Sequence, residues 1–242
     1  MSVKVLAIIC ACVISLVRGE DSLLTPCRTD DVACLTETTS QFLSKTCKGI
    51  KEYDIRAIDP MEISSTDFEA PGAGLIFRFR NLKITGLKDQ KLSGFQMDTA
   101  KQDVVLTTNA DLSVEGDVTV ELVKKSKSFS GTFGLKGSVA GTATYGYSYK
   151  DDENGVKHFE VGPEKITCQV LGAPELTVGP ELQQVINNDP DVKESRQQNQ
   201  DKLQTIRKAA LCHITEKAYV TVIHNLRTAA KLFPTTKFFI EV

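Results

Sequence analysis

The alternation of apolar and polar residues divides the chain into three parts, and the first is a short helix. Asp30 and Asp31 offer N-caps for a helix that reaches about Thr46 and is stopped by Gly49. Its apolar positions form a narrow stripe on one face: Val32, Leu35, Thr39 and Phe42. So narrow a stripe predicts a helix that lies on the rest of the protein and is not buried within it.

The second part, residues 53–178, alternates with period two and is rich in β-branched residues, as in LIFRFRNLKITGL. Turn signals interrupt it at Pro71-Gly72, Gly86, Gly116-Asp117 and Asn154-Gly155. This pattern predicts a long antiparallel meander with strands longer than the usual length of about five or six residues. Several glycines inside strand-like sequence also predict strong bending. They are Gly131, Gly134, Gly137, Gly141 and Gly146.

The third part begins at about Pro190 with polar helix formers and continues as a long amphipathic helix. Its apolar stripe comprises Leu203, Ile206, Ala210, Ile214, Ala218, Val222, Leu226, Ala229 and Phe233, widened by Leu211 and Ile223. The only surface large enough to cover such a face is the meander. We therefore predict an α+β fold in which a highly curved antiparallel sheet is rolled around a long C-terminal helix. The apolar tail KFFIEV has no stripe of its own, so it must dock elsewhere or be exposed.

The N-terminus has the features of a secretory signal peptide. Lys4 precedes an apolar run from Val5 to Ile14, which is too short to cross a bilayer, and Gly19 offers a small residue for cleavage. Residues 1–19 are therefore predicted to be removed, which leaves residues 20–242 as a single secreted domain. No later segment is predicted to span a membrane.

Charge and chemistry narrow the function further. The net charge is −2 and basic residues are scattered, which argues against nucleic-acid or anionic-membrane binding. Of the three histidines, His213 and His224 lie about 16 Å apart along the predicted helix, too far to share a metal ion, and His158 follows a turn, where we expect exposure. Catalytic and nucleotide-binding motifs are missing, and KDDENG fits a hairpin better than a calcium loop. We predict a monomer that is not an enzyme and has no cofactor or metal.

Five cysteines follow the signal peptide, an odd number for an oxidising compartment. Cys27 and Cys34 are close enough in sequence to pair locally, and a bridge between Cys168 and Cys212 would pin a strand to the long helix. We predict these two bridges and a free Cys47. The alternative, in which Cys47 joins a bridge and another thiol is left over, stays open because sequence does not fix connectivity.

A rolled sheet around a helix can enclose an apolar cavity, which suits the transport of a lipid through water. The alternative is a solidly packed roll whose surface is the functional part, as in an adhesion or inhibitor protein.

In the stretch YGYSYKDDENG, three tyrosines share one face of a strand. Tyr149 lies nearest the hairpin and is predicted to be exposed to solvent. Tyr147 is predicted to lie at the rim or in the wall of the cavity, and Tyr145 to lie deepest.

Several segments together resemble the hemolymph juvenile hormone-binding proteins of moths, which belong with the takeout-like lipid carriers of insects. They are CRTDDVACL, KGIKEYDIRAIDP, FRFRNLKITGL, GFQMDT, ADLSVEGDVTVEL, YGYSYKDDENGVKHFEV and VIHNLRTAAKLFP. The resemblance implies an apolar pocket for juvenile hormone near one end of the roll and a second cavity at the other. It implies an N-terminal lid helix, with the C-terminal segment closing beside it. It also implies the same two disulfides, whereas Cys47 departs from the family pattern.

The resemblance also implies residue roles in the pocket. The tyrosine whose hydroxyl meets the hormone's epoxide corresponds to Tyr145, the lid aromatic to Phe42 and the pocket phenylalanine after the hairpin to Phe159. The C-terminal phenylalanine corresponds to Phe238 or Phe239. With Leu35 from the helix stripe and Tyr147 from the strand, these form the predicted ligand-binding set. Plain core packing is the alternative role for each of the phenylalanines. The predicted partner is juvenile hormone or a similar small lipid.

Overall fold

The computed structural model describes residues 23–241, so the predicted signal peptide lies outside the described part of the chain. A helix, α1, precedes the sheet, and three helices follow it. The helices are α1 (Val32–Thr46), α2 (Pro180–Asn188), α3 (Pro190–Gln198) and α4 (Leu203–Leu232). The strands are β1 (Met61–Ala70), β2 (Leu75–Thr85), β3 (Lys91–Asp98), β4 (Asp103–Leu122), β5 (Lys127–Asp151) and β6 (Lys157–Val178).

All six strands form one antiparallel sheet in the order β1-β2-β4-β5-β6. One end of β4 pairs with β2 and the other end with β3, so two short strands share an edge of one long strand. Strands β4, β5 and β6 have 20, 25 and 22 residues, as the long meander predicted. Asn154-Gly155 forms the predicted hairpin turn, in which Asp152 Oδ1 accepts from the Asn154 and Val156 amides and Gly155 has φ of +77°.

The roll closes around α4, whose apolar stripe packs against the inner face of the sheet. The inner face of the middle of this helix is buried, because Leu211, Ile214, Ala218 and Tyr219 are at most 3% exposed. The predicted fold is therefore confirmed: a curved antiparallel sheet surrounds a long C-terminal helix, with a short helix near the N-terminus.

Two of the strand glycines allow helix side chains to touch the sheet backbone. A Cβ atom at Gly141 would lie 2.3 Å from Cε1 of Tyr219, and one at Gly137 would lie 2.8 Å from Cδ2 of Leu211. Real side chains do not approach so closely. These glycines therefore set the distance between β5 and α4, which adds a packing role to the predicted bending.

Three expectations on element boundaries were wrong. Gly116-Asp117 is not a turn, because β4 runs straight through it. Glycine is needed there since β2 bulges towards it, so that a Cβ atom at Gly116 would lie 2.8 Å from Leu82 Cδ2. Strand structure starts at Met61, well after residue 53, and helical structure starts at Pro180, before residue 190.

The bridges in the structure are the two predicted pairs, Cys27–Cys34 and Cys168–Cys212, and Cys47 is a buried free thiol. The second bridge joins β6 to α4 and closes a loop with a sequence separation of 44. Within residues 23–241, no helix has the length and apolar character needed to span a bilayer. The same part of the chain holds no cluster of three or more metal-ligating side chains.

Candidate functional site

An apolar cavity of about 160 Å³ lies at one end of the roll, beneath α1. Its walls come from β3 to β6, from the C-terminal half of α4 and from the C-terminal segment. The structure brings all of the sequence-predicted ligand-binding residues to this one cavity. They are Leu35, Phe42, Tyr145, Tyr147, Phe159, Phe238 and Phe239.

Helix α1 forms the roof of the cavity. Its first turn is capped by Asp31, whose carboxylate accepts from the Cys34 amide at 3.0 Å. Leu35 and Phe42 face inwards and are buried. The helix is also held by the Cys27–Cys34 bridge and by the Thr25 amide, which donates to the Thr38 hydroxyl at 2.8 Å. Its apolar face supplies the contacts that cover the cavity.

The two ends of the described chain are hydrogen-bonded to each other beside this roof, in a contact that we call the terminal clasp (residues 27–29 with 238–241). The Cys27 amide donates to Phe238 O at 3.1 Å, and the Ile240 amide donates to Cys27 O at 3.0 Å. The amide and hydroxyl of Thr29 both donate to Glu241 Oε1, at 2.6 and 2.7 Å. These bonds hold the pKa of the Glu241 carboxyl below its usual range.

The clasp positions aromatic rings in the cavity wall. Phe238 and Phe239 each lie 5.8 Å from the Phe159 ring, centroid to centroid, and nearly perpendicular to it. Both phenylalanines that the resemblance left as alternatives therefore line the cavity. The apolar tail docks and is not left as an exposed segment, although Ile240 itself is 68% exposed.

The tyrosines of β5 follow the predicted order of depth in part. Tyr149 is 37% exposed, whereas Tyr147 and Tyr145 are 6% and 7% exposed. Tyr147 is thus as buried as Tyr145, and its ring packs edge-on against Phe159 with centroids 5.5 Å apart.

Two phenols in this wall are buried, and one of them is left without a hydrogen-bond partner among the described residues. The Tyr147 hydroxyl has no hydrogen-bond partner within the described residues. Burial, and to a smaller degree the nearby Tyr149 phenol, raises the pKa of Tyr147 to about 12. Burial alone raises the pKa of Tyr145 still further. Both groups are therefore neutral hydrogen-bond donors at physiological pH, placed in an apolar wall.

A polar chain that sequence reasoning missed lies at the inner end of the cavity. The Gln90 amide donates to Leu87 O, the Thr108 hydroxyl donates to Gln90 Oε1 at 2.8 Å, and the Tyr219 hydroxyl lies 2.7 Å from Thr108 Oγ1. Gln90 and Thr108 also line the cavity. The only signal in the sequence is at Thr108, a polar residue at a position that strand alternation assigns to the inner face, whereas Gln90 precedes β3 and has none.

A second polar contact that the sequence did not indicate joins α4 to the chain before β1. Asn225 accepts from the Arg56 amide and donates to the Arg56 carbonyl, both at 2.8 Å. Asn225 lines the cavity, but this pair of bonds uses the hydrogen-bonding groups of its side chain for a structural contact. Its role is to hold the chain beside the roof.

The histidines make separate structural contacts. His213 Nε2 lies 2.8 Å from the Thr66 hydroxyl, and His224 Nε2 lies 3.0 Å from the Asp54 carbonyl oxygen. The expectation of an exposed His158 was wrong, since its side chain is 15% exposed. The residue is covered because its backbone pairs with Pro234 of the C-terminal segment.

The described lining of the site is mostly apolar, with a few neutral polar groups, one lysine (Lys237) and no carboxylate. Such a cavity is suited to binding a small, largely apolar molecule whose few polar atoms accept hydrogen bonds. The fold and site thus define a binding protein for a small lipid-like ligand.

Comparisons with known proteins identify the family. Residues 5–160 match the profile described as "Haemolymph juvenile hormone binding protein (JHBP)". A curated relative, the "Juvenile hormone-binding protein" of Manduca sexta, is 49% identical over 224 residues, which are 92% of this chain and 98% of the relative. The chain therefore belongs to the haemolymph juvenile hormone binding protein family.

The fold is also found in a solved structure. The crystal structure of Epiphyas postvittana Takeout 1 matches with a TM-score of 0.74 and 17% identity, covering 90% of this chain and all of that one. At this identity the match shows the fold alone. The roll of sheet around a long helix is thus shared with Takeout 1.

Proposed function

We propose that the protein is a secreted, monomeric carrier that binds juvenile hormone in the cavity beneath α1 and transports it through hemolymph. The observation that carries the proposal is the apolar cavity, whose wall holds the buried phenols of Tyr145 and Tyr147. The family match and the relative named for hormone binding support it.

The chemistry of the hormone fits the division of the cavity into apolar and polar parts. Juvenile hormone has an epoxide at one end, a methyl ester at the other and a branched hydrocarbon chain between them. Burial of the chain contributes about 0.8 kcal/mol per methylene, so the apolar wall supplies most of the affinity. A neutral hydrogen bond adds about 0.5 to 1.5 kcal/mol, which favours an epoxide-bearing ligand over one without it.

The alternative function is transport of another small lipid or odorant, as a takeout-like carrier. The shared fold with Takeout 1 favours it, and the apolar wall alone does not separate the two. A competition assay with labelled juvenile hormone against a fatty acid tests the proposal directly. We expect the hormone to bind with a 1:1 stoichiometry and to resist displacement by the fatty acid; ready displacement would support the alternative.

We expect Tyr145→Phe to weaken binding of the epoxide form by up to about tenfold, because a donor to the epoxide oxygen is lost while the wall is retained. The measurement is the Kd for the hormone and for an analogue in which an alkene replaces the epoxide. The loss should appear for the epoxide form only, since the analogue offers no acceptor there.

Tyr149→Phe is the matched control for this substitution. It removes the same hydroxyl from the same strand at a position that is 37% exposed, so hormone affinity should not change. An unchanged affinity of the Tyr145→Phe variant for the epoxide form would contradict the proposed role of Tyr145.

We further propose that α1 is a lid whose closure shields the ester from esterases and slows release, and that the terminal clasp keeps it closed. Glu241→Ala removes the acceptor for both Thr29 donors, so we expect the off-rate of the hormone to rise about threefold. Stopped-flow displacement of labelled hormone measures this rate. Glu153→Ala, at the exposed hairpin, is the control; an off-rate that is equal in both variants would refute a role for the clasp.

A further inference from the structure

A second cavity, of about 400 Å³, lies at the other end of the roll. Its apolar walls come from β2, β4, β5 and β6, and α2, α3 and the start of α4 cover it. Helix α2 is fixed in place because Leu182 packs directly on Gly131, where a Cβ atom would lie 2.8 Å from Leu182 Cγ. This cavity is therefore bounded by packed elements and has its own lining, separate from that of the first.

The charged groups of this lining are of one sign. Arg196 and Arg207 contribute guanidinium groups, and no aspartate or glutamate is among the lining residues. The Nε atom of Arg207 is buried and has no hydrogen-bond partner within the described residues. A buried cationic donor without a partner is costly, unless a ligand supplies an acceptor.

Carboxylates near this cavity are already paired with lysines. Lys125 contacts Asp191 and Glu194 of α3 at 3.4 and 2.9 Å, and Lys127 contacts Asp189 and Asp191. These pairs bind α3 to the connection between β4 and β5. Among the described groups that line this cavity, the Nε atom of Arg207 is therefore the buried donor that is left for an anion.

The two cavities are separated by the packed middle of α4. Residues up to Ala210 line the second cavity, and residues from Val222 line the first, a distance of about 18 Å along the helix axis. Leu211, Ile214 and Tyr219 fill the space between them and are at most 3% exposed. Ligands in the two cavities would therefore not touch each other.

We infer that the second cavity is an independent binding site for a single-chain anionic lipid of the long-chain fatty-acid class, with the carboxylate bound by Arg207. The apolar walls accommodate the chain, and the unpartnered Nε–H of Arg207 provides a charge-assisted hydrogen bond to the head group. A chain with this site would carry a second ligand of different chemistry at the same time as the hormone, which goes beyond the proposed transport of hormone alone.

The test uses the full secreted chain and oleate as the probe, with methyl oleate as its neutral counterpart. Isothermal titration calorimetry in the presence of saturating juvenile hormone should show one oleate bound per chain. We expect Arg207→Gln to weaken oleate binding about tenfold or more and to leave methyl oleate unaffected. Lys208→Gln removes the same charge from the neighbouring, exposed position of α4 and should change neither.

Ile186→Trp, which narrows the second cavity from α2, provides a second line of evidence and should reduce the binding of both lipids. Displacement of oleate by stoichiometric hormone, or equal oleate affinity in Arg207→Gln and the unmodified protein, would overturn the inference. A protein that binds oleate in this Arg207-dependent way but does not bind hormone would contradict the proposed function only. A protein that binds hormone but does not bind oleate in this Arg207-dependent way would contradict the second site only.

Discussion

Val222→Trp should abolish hormone binding, with a loss of affinity of about a hundredfold or more. Val222 lines the first cavity from α4. An indole at this position would occupy the space of the hormone's hydrocarbon chain, so that most of the burial free energy would be lost. Equilibrium binding of labelled hormone measures the effect, and the urea midpoint of unfolding checks that the variant is folded.

Val220→Trp is the matched control for this prediction. Val220 lies on the same helix but is 46% exposed, and it is not among the residues that line either cavity. The Val220→Trp variant should therefore bind hormone with unchanged affinity. If a folded Val222→Trp variant bound hormone as tightly as this control, the hormone would have to bind elsewhere, and the first cavity would lose its assigned ligand.

Removal of the Cys168–Cys212 bridge should lower the free energy of unfolding more than removal of the Cys27–Cys34 bridge. With a sequence separation of 44, the bridge restricts the unfolded chain by about 4 kcal/mol at 25 °C on the chain-entropy estimate. The Cys27–Cys34 bridge, with a separation of 7, restricts it by only about 2 kcal/mol. Urea unfolding of the two double-alanine variants gives the comparison as a difference in the free energy of unfolding.

The two variants should also differ in what they do to function. Loss of Cys168–Cys212 releases β6 from α4 and should lower stability throughout the roll. Loss of Cys27–Cys34 loosens the start of the proposed lid and should raise the off-rate of the hormone, with a smaller shift of the urea midpoint than loss of the other bridge. An equal loss of stability in both variants would contradict the loop-length argument.

Sequence periodicity was sufficient for the long elements and insufficient for the short ones. Helix α4 and the strands β4 to β6 carry many residues in phase, so their patterns are unambiguous. Gly116 was misassigned because its reason lies in a bulge of the partner strand, 34 to 36 residues away in the chain, where Arg80 O and Leu82 approach it. Helix α2 was missed because it has nine residues and depends on the docking of Leu182 at Gly131.

The residues of the candidate site, too, could be predicted from the sequence only in part. The apolar and tyrosine positions were found because alternation and the family resemblance place them on inner faces. The polar chain Gln90–Thr108–Tyr219 was not found, because its members are 18 and 111 residues apart and meet only in the folded roll. Arg207 was not found either, since an arginine on a helix is usually solvated and only the cavity beside it makes its Nε atom unusual.

The contact between Tyr219 and Gly141 limits the length of what the protein can carry. The ring lies across the interior at the point where the sheet comes closest to the helix, and its hydroxyl is fixed by Thr108. The roll is thus divided into two compartments by an internal wall and is not one continuous tunnel. A ligand that entered beneath α1 would meet this wall after the length of one compartment, so the fold itself would select ligands by chain length before any polar group takes part.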